Sequence, residues 1–389
     1  MHNCMYLQKI KKYKIYSKIL FLLFLLLLLS TMPGCTYDDN PDISTSGIVD
    51  KIGEKSTAQN SYNAVKPTPN RDVENIQNST AAPYDPVINF TDPYFESVVR
   101  DLLGKSIGDI KVSDVSSIKT LTARVKGIRN INDIVYFTSL EELDLYGNKI
   151  SDITPIAQLV NLRVLNIGKN YNTLYSSNSS GTNGINLNIL SSLPLLEELY
   201  AEDNQISDLS FVEGLSQIKI LNLSNNNLTD VTALSNLKNL EKLILLNNKI
   251  TDLVSLTECV KLNYIDVSNN YYEVMDEQTL FYTGYGIKDL SFAEKLANLT
   301  YINVSMNMVS SLESLSKLKE LRTIYADDNY ITDISYFKDN SNIQLLSVKR
   351  NYIKDFNVIT SMKTLTELFY IGNPIDNKEP VLKFESQNF

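Results

Sequence analysis

From Ile118 onward the chain repeats one hydrophobic pattern. The stretch Leu140 to Val160 shows it most cleanly: L-E-E-L-D-L-Y-G-N-K-I-S-D-I-T-P-I-A-Q-L-V. Its frame is L-x-x-L-x-L-x-x-N-x-I, followed by an apolar residue at every third position. The frame starts again at Ile118, Leu140, Leu162, Leu196, Ile218, Leu240, Leu262, Leu299, Leu321, Ile343 and Leu365. Eight of the ten intervals are 22 residues, and the other two, 34 and 37, carry insertions of 12 and 15. A fixed period of this kind is the mark of a stacked-repeat architecture, in which a single unit cannot bury its own apolar face.

Each unit predicts two elements. Its first half alternates, as in Leu143-Asp144-Leu145, which is strand period. Its second half places apolar residues three apart, such as Ile150, Ile153, Ile156 and Leu159, which suits a 3-10 turn. The pairs Ser151-Asp152, Ser207-Asp208, Thr229-Asp230, Thr251-Asp252 and Thr332-Asp333 stand where that turn begins, and their oxygens can cap its free N–H groups. Stacking eleven units aligns eleven strands into a parallel ribbon roughly 50 Å long, at about 4.8 Å per strand. An asparagine fills the ninth position of ten units, from Asn148 to Asn373, with Lys126 in the first. An amide offers donors and an acceptor together, so these residues predict an internal ladder between turns rather than a ligand site.

Ahead of the repeats, Asp92-Pro93 reads as a helix start, and Phe95, Val98, Val99, Leu102 and Leu103 follow at helical spacing until Gly104. Residues 87–117 are expected to form a helical cap over the open end of the array. Residues 35–86 are polar, with few large apolar side chains, and are expected to be a flexible tether spanning roughly 40 Å. Repeats are expected over 118–375, with insertions near 171–184 and 271–286, and a C-terminal tail over 376–389.

The first 34 residues read as an export signal. Lys9, Lys11, Lys12, Lys14 and Lys18 precede eleven apolar residues, Ile19 to Leu29, a run shorter than the roughly 20 a membrane helix needs. Gly34-Cys35 then resembles a bacterial lipobox, with Met32 and Pro33 departing from its usual residues. That resemblance implies cleavage before Cys35 and lipidation of Cys35. Cleavage there removes five lysines and no acid, taking the formal net charge from −9 to about −14. So acidic a chain repels phosphate backbones, and no nucleic-acid partner is expected.

The repeat pattern closely resembles the 22-residue bacterial leucine-rich repeats of the internalin type, over residues 87–375 with the cap included. The resemblance implies a right-handed leucine-rich-repeat solenoid, with a concave parallel sheet and convex 3-10 turns. It also implies protein binding on the concave face, often to host cells. Neither the family's frequent immunoglobulin-like extension nor its L-P-x-T-G tail is expected in this chain, and a lipid on Cys35 is expected to replace that anchor. The expected location is the outer face of a bacterial cell membrane.

Strand alternation sends repeat positions four and six inward and three, five and seven outward. The outward set is acidic toward its N-terminal half, with Glu142, Asp144, Glu198 and Glu202. It turns aromatic and apolar further on. The candidate contact residues are Tyr200, Ile244, Leu246, Tyr264, Tyr301, Tyr325 and Phe369. The second insertion adds Tyr272, Phe281 and Tyr282, placed either to touch a partner or to cover their own repeat. The expected ligand is a protein, on a host or neighbouring cell; aromatics beside acids would also suit an envelope glycan.

Catalysis is not expected. The single histidine, His2, leaves with the signal, so no Ser-His-Asp or Cys-His set and no histidine zinc site can form. A carboxylate pair such as Asp327 and Asp328 with Glu202 or Asp203 is the remaining enzymatic reading, but acids spread along a ribbon make no pocket. Cys259 occupies an apolar repeat position and reads as a small core residue. No cofactor or metal is expected.

Overall fold

The computed structural model describes residues 84–170, 185–276 and 281–388. The expected export signal, Cys35, the expected tether up to residue 83 and the first insertion, 171–184, lie outside them.

Alternation does build strands where the period places them. β1 (Thr120–Thr122), β2 (Glu142–Asp144), β3 (Val164–Asn166), β4 (Glu198–Tyr200), β5 (Ile220–Asn222), β6 (Lys242–Ile244) and β7 (Tyr264–Asp266) run in order along one sheet. After the ribbon β8 (Tyr272–Met275) and β9 (Tyr282–Tyr285), the same sheet continues through β10 (Tyr301–Asn303), β11 (Thr323–Tyr325), β12 (Leu345–Ser347) and β13 (Glu367–Phe369). All neighbours are parallel and in the register of the period, Leu121 beside Leu143 and Leu143 beside Leu165. Both insertions leave that register intact: Leu165 still pairs with Leu199, and Ile265 with Ile302.

The inward residues form one continuous core, from Ile88 to Phe384. Short 3-10 turns such as Thr154–Gln158 and Val254–Glu258 close each unit. Their caps are the aspartates. Asp152 Oδ1 accepts from the Thr154 N–H at 2.8 Å, and Asp252 Oδ1 from the Val254 N–H at 2.8 Å. Hydrogen bonds from the Thr154 side chain and backbone hold the Asp152 carboxyl below the usual carboxylate range.

The ninth-position amides make the predicted ladder. Asn148 Nδ2 donates to Ala123 O and Leu145 O, one in each of two neighbouring units, while its Oδ1 accepts from the Lys126 and Ile128 N–H groups. One position earlier lies a feature that the hydrophobic frame does not reveal. The eighth residue of all eleven units has positive φ, including Val125 at 53° and Met306 at 56°. Gly147, Gly372, Asn225, Asn247, Asn269, Asp203 and Asp328 share the position, and these types tolerate the left-handed region best. That bias was the signal available in the sequence. Val125, being β-branched, is held there against its own preference.

The N-terminal cap is helix α1 (Pro93–Leu103), followed by the short α2 (Val112–Val115). Asp92 does two jobs. Its Oδ1 accepts from the Tyr94 and Phe95 N–H groups at the helix start, and its Oδ2 from the Arg129 and Asn130 N–H groups in the first repeat. Burial opposes the charge on Asp92, but these four bonds outweigh it and lower its pKa. Phe95, Val98 and Val99 are buried, whereas Leu102, placed on the apolar face by spacing alone, is largely exposed. At the other end the expected tail is instead helix α3 (Glu379–Asn388), which buries Val381 and Phe384 against the last unit. Only two apolar residues three apart mark it, too few to reveal a helix before its neighbour is known.

Cys259 is fully buried, its Sγ donating to Leu234 O at 3.2 Å, and burial pushes its thiol up to about 11. It is a core residue, with no access for redox chemistry.

Candidate protein-binding face

Positions three, five and seven of each unit lie on the solvent side of the sheet. Their neighbours come from adjacent units rather than from adjacent residues, so the face is assembled across the repeats.

Its centre is aromatic. β7 and β10 are neighbours although they start 37 positions apart in the sequence, and Tyr264 stands directly beside Tyr301. The rings stack at 4.1 Å between centroids and 2° between planes, and Tyr325 follows at 5.8 Å from Tyr301, tilted by 48°. Lys242 on β6 covers the far side of Tyr264, its Nζ 4.6 Å from the ring centroid. Burial raises the pKa of Tyr264, and that of Tyr301 rises further, first through burial and then through the hydrogen bond that it shares with Tyr264. Ile244 lies beside Asp266 at the flank of this platform, and Leu246 follows two residues beyond the end of that strand; both are half-buried.

The other predicted contacts fall elsewhere. Tyr200 is on β4, three strands from Tyr264. It helps line a shallow depression of 210 Å³ with Thr120, Thr122, Glu142, Asp144, Val164 and Asn166. Its hydroxyl donates to Glu198 Oε2 at 2.9 Å, and burial with that bond pushes its pKa up to about 12. Nearby, Arg124 pairs with Asp144 at 2.8 Å and lies over Tyr146. Burial raises the pKa of Glu202 as well. Phe369 is on the last strand, partly covered by Lys349. The face therefore has an acidic N-terminal end, an aromatic centre and a C-terminal end of paired charges.

The acids of the enzymatic reading do not converge. Asp327 accepts from Ser347 Oγ at 2.6 Å and pairs with Lys349 at 2.9 Å, while Asp328 is held by Arg350. Glu202 and Asp203 follow β4, five strands away from β11, which Asp327 and Asp328 follow. Among the described residues, no three His, Cys, Asp or Glu side chains are arranged to hold a metal.

The second insertion is not an irregular loop. β8 and β9 form a separate antiparallel ribbon, with Tyr272 opposite Tyr285 and their rings stacked at 5.3 Å. Tyr272 is half-buried by that contact; Phe281 and Tyr282 are exposed. Alternation was present in the sequence, but four-residue strands in a polar setting look like loop until the turn closes them.

Comparison with known proteins agrees with this build. A family model for leucine-rich repeats, in two copies, matches residues 138–179 and 194–236. No curated protein matches the chain. An internalin (inlF) from Listeria monocytogenes is similar in structure with a TM-score of 0.61 at 25% identity, over 76% of this chain and 93% of that one. The leucine-rich-repeat ectodomain of the plant membrane receptor kinase GASSHO1/SCHENGEN3 from Arabidopsis thaliana, solved in complex with Casparian strip integrity factor 2, shares the fold. Its TM-score is 0.50 at 18% identity, over 67% of this chain and 31% of that one. Period, sheet, asparagine ladder and structural likeness converge: the described residues form an internalin-like leucine-rich-repeat solenoid.

Proposed function

We propose that this protein is exported, carries lipid on Cys35, and uses the solvent face of its solenoid sheet to bind a protein on a host or neighbouring cell. Solenoids of stacked repeats offer long continuous surfaces suited to such contacts. The observation that carries the reading is the platform of Tyr264, Tyr301 and Tyr325, flanked by Ile244 and Leu246. Aromatic anchors surrounded by polar residues are where binding energy concentrates in protein interfaces. Here the core beneath holds them in place, so little ordering cost remains at binding. A glycan would need open ring faces for stacking. Both faces of Tyr264 are taken, by Tyr301 and by Lys242, which favours a protein partner.

The test begins with crosslinking of the protein to intact cells, to identify a partner. The partner is then titrated against a variant with Ile244, Leu246, Tyr264 and Tyr301 all changed to Ser. Affinity is expected to fall at least about tenfold, the loss of a hot-spot cluster. Unchanged affinity in a folded variant would refute the concave-face reading. The anchor is tested separately: Cys35→Ser should abolish incorporation of labelled fatty acid and release the protein from the membrane fraction.

A further inference from the structure

The third unit sits low between two taller ones on the solenoid face. Its outward residues are Val164, Asn166 and Gly168. The second unit presents Glu142, Asp144 and Tyr146, and the fourth presents Glu198, Tyr200 and Glu202. With about 4.8 Å per strand, the taller units stand roughly 10 Å apart. Between them lies the depression of 210 Å³, lined by Val164 and Asn166 and closed from β4 by Tyr200. At Gly168 an added Cβ would come within 2.7 Å of Glu202 Cδ, so glycine there lets the Glu202 carboxylate lean over the third unit.

Three rings on this face carry a cation of the chain itself. Arg124 lies 4.4 Å from the centroid of Tyr146, Lys242 4.6 Å from that of Tyr264, and Lys349 5.4 Å from that of Phe369. Tyr301 and Tyr325 are taken up in the tyrosine platform. Tyr200 has neither a cation nor another ring against it among the described residues.

Charge points the same way. Over the first five units the outward positions carry four carboxylates, Glu142, Asp144, Glu198 and Glu202, against the one guanidinium of Arg124, a net of −3. Arg124 is already paired with Asp144. Neutral donors meet Glu198 and Glu202: the Tyr200 hydroxyl at 2.9 Å and Asn222 Nδ2 at 3.2 Å. Glu142 is exposed, and its carboxylate has no partner among the described residues. Burial, and then the nearby Asp203 charge, holds the Glu202 carboxyl above its usual range. Charge of one sign gathered on a concave wall draws in the opposite sign. A basic side chain suits such a place, with an apolar stem for the floor and a head that favours both ring faces and carboxylates.

We propose that this depression receives a lysine or arginine side chain of the partner protein, its stem along Val164, its charge over the Tyr200 ring and beside Glu142. This rests on the reading of the sheet as a protein-binding face, and it orients the partner: a basic segment over the N-terminal units, an apolar one on the tyrosine platform.

Protein beginning at residue 79 carries the whole described core and serves for the test. Its amide resonances are followed while a blocked Gly-Arg-Gly tripeptide is added, with blocked Gly-Gln-Gly as the neutral counterpart. The arginine peptide should shift residues 142–146, 164–168 and 198–202 saturably, and the glutamine peptide should bind at least about fivefold more weakly. Tyr200→Leu changes no charge and should weaken the arginine peptide about two- to fivefold, the value of an exposed cation–ring contact. Glu142→Gln combined with Glu202→Gln should weaken it about fivefold or more. Glu367→Gln, an outward acid on β13, should leave it within about 1.5-fold. Three results overturn the proposal: a blank titration, full affinity in Tyr200→Leu, or a loss in Glu367→Gln as large as in the double variant. The peptide acts without the partner, so its failure strikes the depression and leaves the platform standing. With the partner in hand the two separate again. Unchanged affinity in the fourfold serine variant refutes the platform, and unchanged affinity in Tyr200→Leu refutes the depression.

Discussion

Tyr264 with Tyr301 on the sheet, and Tyr272 with Tyr285 on the ribbon, use the same contact in two settings. Each pair stacks across neighbouring strands, at 4.1 Å and 5.3 Å between ring centroids. Beneath the first pair lie Ile265 and Ile302, both fully buried in a core shared by every unit. Beneath the second there is no core: the burial of β8 and β9 never passes intermediate. The sheet pair is thus fixed before any partner arrives. The ribbon pair depends on its own two strands, and its exposed neighbours have apolar surface left to cover. Identical side chains can rest on a shared core in one place and on two exposed strands alone in another, and the backing decides how firmly they are held.

The strongest way to break that contrast is to remove the backing. Ile302→Ala leaves a cavity directly under the tyrosine platform and should cost about 2–5 kcal/mol, lowering the melting temperature by several degrees. A loss well under 1 kcal/mol would mean that the platform does not rest on the core as described.

Alkaline titration should sharpen the contrast next. Burial raises the pKa of Tyr264 and Tyr301, so the folded chain favours their protonated phenols. Their contribution to stability is therefore complete below the unfolded value of about 10 and is lost as pH rises through the folded values. Ultraviolet absorbance should show phenols that still resist ionisation above pH ~10.5, where a freely exposed tyrosine is already mostly ionised. The double variant Tyr264→Phe, Tyr301→Phe should remove two of them. If the variant's titration curve matched that of the parent, the two hydroxyls would not be the protected ones.

The smallest effect belongs to the ribbon. Tyr285→Ser deletes one half of an unbacked stack and should cost less than about 1 kcal/mol in dilute protein, near the value of an exposed aromatic pair. A loss as large as that of Ile302→Ala would show that the ribbon is part of the solenoid's core after all.

Much of this was legible because it depends on period alone. The 22-residue interval located all eleven strands, and the ninth-position amides announced their ladder, since a buried turn must satisfy its N–H and C=O groups whatever surrounds it. Asp92-Pro93 marked the cap helix through local capping chemistry. The link from Asp92 Oδ2 to Arg129 and Asn130 was not legible, because it joins residues whose nearness depends on how the cap docks. The same holds for α3, whose two buried residues acquire meaning only beside the last unit.

The outward residues divide in the same way. Alternation determined that Tyr200, Ile244, Tyr264, Tyr301, Tyr325 and Phe369 face solvent, because side-chain direction in a strand is a local property. Which of them meet was decided by tertiary structure. Tyr264 reaches Tyr301 because the insertion leaves the sheet entirely and lets β7 and β10 pair in register. Tyr200 stands apart because three strand spacings separate it from that platform. By itself, then, the sequence determined the repeat, the fold and the direction of each side chain, all set within a few residues along the chain. The aromatic platform, the ribbon and the clamps at both ends were decided only when distant segments packed, since their contacts depend on distances that no local pattern encodes.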